Sequence, residues 1–245
     1  MQENDPTAAA LIQAIHSGDL ELLERLLGGN PALATARIED KKGASCTPLH
    51  IATDWPGSFP RSGAVVASLV RAGADPSAPI LGCWHSETPL HWAASSDDLE
   101  AAEALIAAGA DLEAPGASID GGTPLDDAIG YGCWRVARLL VEHGAKVDKL
   151  WQAAALGMMG RIDELSSGPT PTSRGELNDA FWQACQGGQL QAAEYLLARG
   201  ADVNWIPDYA SKTPLDKARD LDTPHEQLLS LLLEKGAKSA HGTDS

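Results

Sequence analysis

The sequence predicts an all-α repeat solenoid, built of about seven helix-turn-helix units spaced by about 33 residues. Three observations carry this. The tripeptide Thr-Pro-Leu recurs at Thr47, Thr88, Thr123 and Thr213. A Gly-Ala pair closes each following pattern, at Gly73, Gly109, Gly144 and Gly236, with a further pair at Gly200. Between these marks lie small residues such as Ala93-Ala94 and then paired aliphatics: Leu26-Leu27, Leu69-Val70, Leu105-Ile106, Leu139-Leu140 and Leu196-Leu197.

Each mark has a mechanical reason. Thr caps a helix, Pro sits at its first position where a missing N–H costs nothing, and Leu turns inward. Small alanines then let this first helix lie close against its neighbours. The aliphatic pairs belong to a second helix, and Gly ends it because the left-handed C-terminal position suits a residue without Cβ. The units expected on this register span 6–38, 46–78, 87–115, 122–147, 148–172, 177–205 and 212–238, with a disordered tail over 239–245.

At Thr47-Pro48-Leu49-His50-Ile51-Ala52 and Thr88-Pro89-Leu90-His91-Trp92-Ala93 the pattern resembles the ankyrin repeat. The resemblance covers residues 6 to 238. The units at 6–38 and 148–172 match weakly and are placed by register, through Leu11-Ile12-Gln13-Ala14 and Leu150-Trp151-Gln152-Ala153. The resemblance implies L-shaped repeats with a β-hairpin or loop finger between successive helix pairs, stacked into one curved solenoid. It also implies that His50 and His91 hydrogen-bond within and between turns, and that the module binds another protein.

Departures from the pattern are informative. Thr88 to Gly109 and Thr123 to Gly144 are each 21 residues, but Thr47 to Gly73 is 26, so an insertion bulges around Trp55-Pro56-Gly57-Ser58-Phe59-Pro60. Only 4 residues separate Gly144 from Asp148, so one finger is lost. Ser166-Ser167-Gly168-Pro169-Thr170-Pro171-Thr172 reads as an irregular loop.

Composition narrows the function classes. A content of 44% apolar residues excludes a wholly disordered chain. The formal charge of −16, from 18 Lys plus Arg against 34 Asp plus Glu, disfavours nucleic acid and anionic membranes. No apolar run is long enough for a membrane helix, and Met1–Pro6 lacks the layout of a secretion signal. Cys46, Cys83, Cys133 and Cys185 are scattered, which reads as reduced thiols in a cytoplasmic protein. A capped solenoid needs no second copy, so a monomer is expected. Cys46, His50, Cys83 and His85 lack zinc-loop spacing, and no phosphate-cradling loop or nucleophile elbow occurs, so neither a metal nor a cofactor is expected.

With the Leu faces buried, a ligand must be met by the outward positions of the first helices and by the fingers. In the first three full repeats those positions gather Asp54, Trp55, Trp92, Ser95, Asp127 and Tyr131, and the finger before Thr88 adds Trp84, His85 and Glu87. Flat aromatic faces beside carboxylates suit cyclic or cationic groups. Trp92 and Trp55 either face this groove or pack against a finger or the insertion. Trp151 and Trp182 stand in the register of the motif histidine and are expected in the core, while Trp134 reads as packing and Asp97 and Asp98 as helix caps. Trp205 and Tyr209 lie in a late finger, as a partner surface or a lid over the last repeat.

Two functions follow. The first is a non-catalytic module presenting an acidic, Trp-containing groove to a protein with a basic patch. The second is a small-molecule-binding protein or enzyme, a hydrolase or isomerase, taking a small polar or cyclic ligand. There Asp54 and Asp127 would act as an acid/base pair, with Trp92 and Trp55 stacking the substrate and His85 or Glu87 assisting.

Overall fold

The computed structural model describes residues 1–168, 171–221 and 225–240. Residues 169–170 of the expected loop, 222–224 of the last unit and 241–245 of the expected tail lie outside the described residues. Among the described residues the chain is helical apart from one two-stranded hairpin, an all-α repeat solenoid. It divides into two compact units, Met1–Lys146 and Val147–Ser245.

The first unit holds four helix pairs: α1 (Pro6–Ser17) with α2 (Leu20–Gly29), α3 (Pro48–Ala52) with α4 (Ser62–Arg71), α5 (Pro89–Ser95) with α6 (Leu99–Ala107), and α7 (Pro124–Gly130) with α8 (Trp134–Glu142). The first helices pack α1 on α3, α3 on α5 and α5 on α7, and the second helices form a parallel row. The second unit repeats this with α9 (Leu150–Ala155) and α10 (Met159–Ser166), α11 (Arg174–Gln186) and α12 (Leu190–Ala198), then α13 (Pro214–Arg219) and α14 (Glu226–Glu234).

Local chemistry sets the helix ends. Thr47, Thr88, Thr123 and Thr213 each cap a helix whose first residue is Pro. The third helical residue of each, His50, His91, Asp126 or Asp216, accepts back from the Thr backbone N–H. At the far end of the pair, Gly73, Gly109, Gly144, Gly200 and Gly236 all have φ between 82° and 102°, which only glycine adopts freely. That turn lets the following Ala N–H donate to Leu69, Leu105, Leu140, Leu196 and Leu232 O respectively. These same five leucines are fully buried at 0% exposure, so the closing bond and the core contact are made by one residue.

The fingers are mostly loops. One contains paired strands, β1 (Ile38–Glu39) and β2 (Ser45–Cys46), antiparallel with Ile38 opposite Cys46. The others turn on an aspartate that caps its own loop, as Asp75, Asp111 and Asp202 do for Ser77, Glu113 and Asn204 N. The residue so placed then latches the next repeat. Ser77 Oγ accepts from Asp111 N at 2.9 Å, Glu113 Oε1 from Lys146 N at 2.8 Å, and Asn204 Oδ1 from Lys238 N at 2.7 Å.

The insertion at 55–60 lands on His16, Ser96 and Asp98. It lies along the row of helix turns: Phe59 stacks on His16 at 4.3 Å, and a Cβ on Gly57 would meet Ser96 at 2.6 Å. Asp98 holds it by accepting from Ser58 N and Ser62 Oγ while capping α6 through Ala101 N. Asp97 caps the next pair through Val136 N.

Candidate binding site

The motif histidines are structural. Thr47 N donates to His50 Nδ1, so the ring proton sits on Nε2 and donates to Glu87 O at 3.1 Å; His91 Nε2 reaches Gly122 O in the same way. Each bond ties a first helix to the residue preceding the next Thr. Burial pushes both imidazoles down, His50 to about 4, which keeps them neutral.

Glu87, whose carbonyl receives His50, uses its carboxylate to gather the predicted site residues. Trp92 Nε1 donates to Glu87 Oε2 at 2.9 Å, and His85 Nδ1 lies 3.1 Å from the same oxygen. Ser118 N donates to Glu87 Oε1 at 3.1 Å, and Ser118 Oγ donates to Asp127 Oδ1 at 3.0 Å and shares a hydrogen bond with Tyr131 OH. Ile119 N also donates to Asp127 Oδ1. The other Asp127 oxygen is buried without a hydrogen-bond partner. Burial first, and then the Glu87 carboxylate beside it, raises Asp127 to about 7.

This brings together His85, Glu87, Trp92, Asp127 and Tyr131, and it corrects the expected exposure of Asp127. Asp127 is 0% exposed because the finger over 116–119 folds back across α7. The carboxylate that acts on Asp127 is that of Glu87. With Glu87 only 8% exposed, the pair is a buried brace between two fingers and a helix.

Asp54 lines a recess of about 220 Å³, and Trp92 lines it too. Ile12, Ile51 and Ile80 form its apolar walls, and Glu3, Asp40 and Asp54 its acidic ones. Partial desolvation raises the Asp54 carboxyl despite the hydrogen bond from Trp55 N. His16 lines the recess with a buried Nε2 that has no partner. Cys46 also lines it, its thiol raised to about 11 by burial and so held protonated. Trp55 and Trp84 project into solvent at 81% exposure and Tyr131 at 56%, whereas Trp92 and Ser95 are half-buried.

The comparisons with known proteins agree with this construction. A family model described as ankyrin repeats in three copies matches residues 59–149. The solved ankyrin repeat domain of human ASB11 superposes with a TM-score of 0.53 at 18% identity, covering 94% of this chain and 98% of that one. The fold is therefore that of ankyrin repeats. A curated relative, the ankyrin repeat and KH domain-containing protein mask-1 of Caenorhabditis elegans, is 27% identical over 238 residues. That alignment takes in 94% of this chain and 8% of the relative, so the chain spans a small part of its length. Ankyrin repeats in general mediate protein–protein interaction. No helix among the described residues is long and apolar enough to cross a membrane.

Within the ankyrin register, the two tryptophans that stand in the place of the motif histidine behave differently from each other. Trp182 is buried at 4%, and its Nε1 donates to Lys212 O at 2.9 Å, the bond that a motif histidine makes elsewhere. Trp151 is half-buried, not core, and its neighbour Gln152 takes the capping role by accepting from Asp148 N and Lys149 N. His16 and Ser118 are the site residues that sequence reasoning missed. His16 shares the outward register of Asp54, a signal that was available; Ser118 lies in a loop with no register at all.

Proposed function

We propose that the ankyrin repeats of residues 1–146 form a non-catalytic module that presents an acidic, aromatic surface to a protein partner carrying a basic patch. The exposure of Trp55, Trp84 and Tyr131 within this one unit is the observation that carries this reading. Exposed aromatics are the residues from which interface hot spots are drawn. The formal charge of −16 and the carboxylates at Glu3, Asp40 and Asp54 favour a basic partner and fast, salt-sensitive association. A cytoplasmic setting and a monomeric state belong to the same proposal; unpaired cysteines suit a reducing compartment.

The enzyme reading has less support. Asp127 and Glu87 are too buried to touch a substrate. The recess, at about 220 Å³, is smaller than the roughly 300 to 1,000 Å³ of typical ligand pockets.

Selection of random peptides against the full chain tests the proposal. Enriched peptides should carry Lys or Arg, bind more weakly as salt rises, and lose affinity to the Trp55→Ala and Trp84→Ala variants. Neutral or acidic peptides with salt-independent affinity would overturn it.

A further inference from the structure

The recess beside Asp54 has a more specific chemistry than the surface around it. Its walls include Ile12, Ile51, Ile80 and the half-buried Trp92, and its polar groups are three carboxylates, one imidazole and the Cys46 thiol. No Lys or Arg lines it. We propose that this recess seats one cationic side chain of the partner, an arginine or a lysine, with the aliphatic stem against the isoleucines and Trp92 and the charged head against Asp54. The inference rests on the protein-binding reading above and names what that partner must bring.

Four features support it independently. The volume of about 220 Å³ suits a single side chain better than a metabolite. Long basic side chains bury their methylenes on apolar surface while keeping the head beside polar groups, and an indole face attracts a cation. The buried His16 Nε2 has no hydrogen-bond partner, so a residue that lines the recess carries an unsatisfied polar atom. The Asp54 carboxyl is raised by desolvation in spite of the hydrogen bond from Trp55 N and the nearby His16, and a bound cation would lower it. Asp40 already accepts two hydrogen bonds, from Lys42 N and Ala44 N, whereas Asp54 accepts one, from Trp55 N, so of these two Asp54 is the carboxylate better placed for the head group.

Methyl and indole NMR on the full chain tests the proposal with three small probes: N-acetyl-arginine methylamide, N-acetyl-lysine methylamide and the uncharged N-acetyl-citrulline methylamide. The cationic probes should shift the Ile12, Ile51 and Ile80 methyls and the Trp92 indole, and citrulline should not. Asp54→Asn should weaken the cationic probes about fivefold or more, and Glu3→Gln by less. Equal shifts from citrulline and arginine would overturn the proposal in the wild-type chain, whether or not the variants fold. Cationic shifts confined to Trp55, Trp84 and Tyr131 would also overturn it while leaving the protein-binding reading intact. Conversely, arginine shifts in the recess together with a peptide selection that returns no basic sequence would sink the protein-binding reading alone.

Discussion

Residues 1–146 and 147–245 meet the same structural demand with different chemistry. In the first, His50 Nε2 donates to Glu87 O at 3.1 Å; in the second, Trp182 Nε1 donates to Lys212 O at 2.9 Å. Both bonds run from the fourth position of a repeat to the carbonyl just before the next. The fold therefore requires one N–H at one place and is indifferent to the ring that carries it. The rings differ in a consequence that the geometry hides: imidazole takes up a proton, and indole does not. The outer surfaces differ as well. The first unit carries Trp55 and Trp84 free in solvent, while in the second Tyr209 is held by Asp179 at 2.6 Å and stands edge-on to Trp182.

The largest expected effect tests whether the two cores are equivalent. Leu105 and Leu196 occupy the same register and are each 0% exposed. Leu105→Ala and Leu196→Ala should each cost about 2 to 5 kcal/mol in chemical denaturation. Hydrogen exchange should report the loss in the unit that bears the substitution. A midpoint that hardly moves for either would show that the shared register is wrong.

The next effect concerns Asp127, a group peculiar to the first unit. Its carboxyl is raised to about 7 from an ordinary 3.8, so its native state holds the proton more tightly than the unfolded chain. The resulting stabilisation is full below about 4 and fades as pH rises through 7. Asp127→Asn copies the protonated form, still accepting from Ser118 and Ile119. Relative to wild type the variant should gain on the order of 2 kcal/mol between pH 5 and pH 8 in urea titrations. A difference that stays constant with pH would remove the carboxyl pair from the account.

The Asp127→Asn background then exposes the histidine effect, which runs the other way. Depressed imidazoles favour the native state above their ordinary 6.5 and lose that advantage as pH falls, toward about 4 for His50. Exchange-derived opening energies for 1–146 should fall on acidification from pH 7 to pH 5 by about 1 kcal/mol or more. The α11 to α13 region, tied by Trp182, should lack that histidine contribution. Trp182→Phe keeps a ring but leaves Lys212 O without its donor, which should cost about 1 to 2 kcal/mol with little pH dependence. Smallest of all, Trp84→Ala should change stability by less than about 0.5 kcal/mol, because its side chain is exposed. A large loss in thermal unfolding would mean that Trp84 packs.

Helices were legible wherever one residue carried both a local and a long-range role. Thr-Pro-Leu fixes a cap, a first turn and an inward leucine at once, and Gly-Ala fixes both a positive φ and a closing bond. The start of α11 was legible in principle too: Ser173 and Glu176 form a capping box, three residues ahead of the expected unit boundary at 177. The α9 register was harder, because Lys149 replaces Thr and Gln152 substitutes for a histidine one position away from Trp151. The site was legible as a set of residues but not as an arrangement. Register put Asp127 among the outward positions, and it carries no information about a finger folding back to bury the side chain. Likewise the insertion announced itself by length, whereas its stacking of Phe59 on His16 depends on where the loop lands.

The latches between fingers have a bearing on how such a chain can be rebuilt. Ser77, Glu113 and Asn204 each grip a main-chain N–H, at 34, 33 and 34 residues' separation, and never a particular side chain. Any residue but proline supplies that hook. A cut-and-splice that removes or duplicates one full period would therefore deliver a fresh amide to the waiting acceptor, so repeats behave as interchangeable couplings and the array's length is open to editing without redesign of its joints.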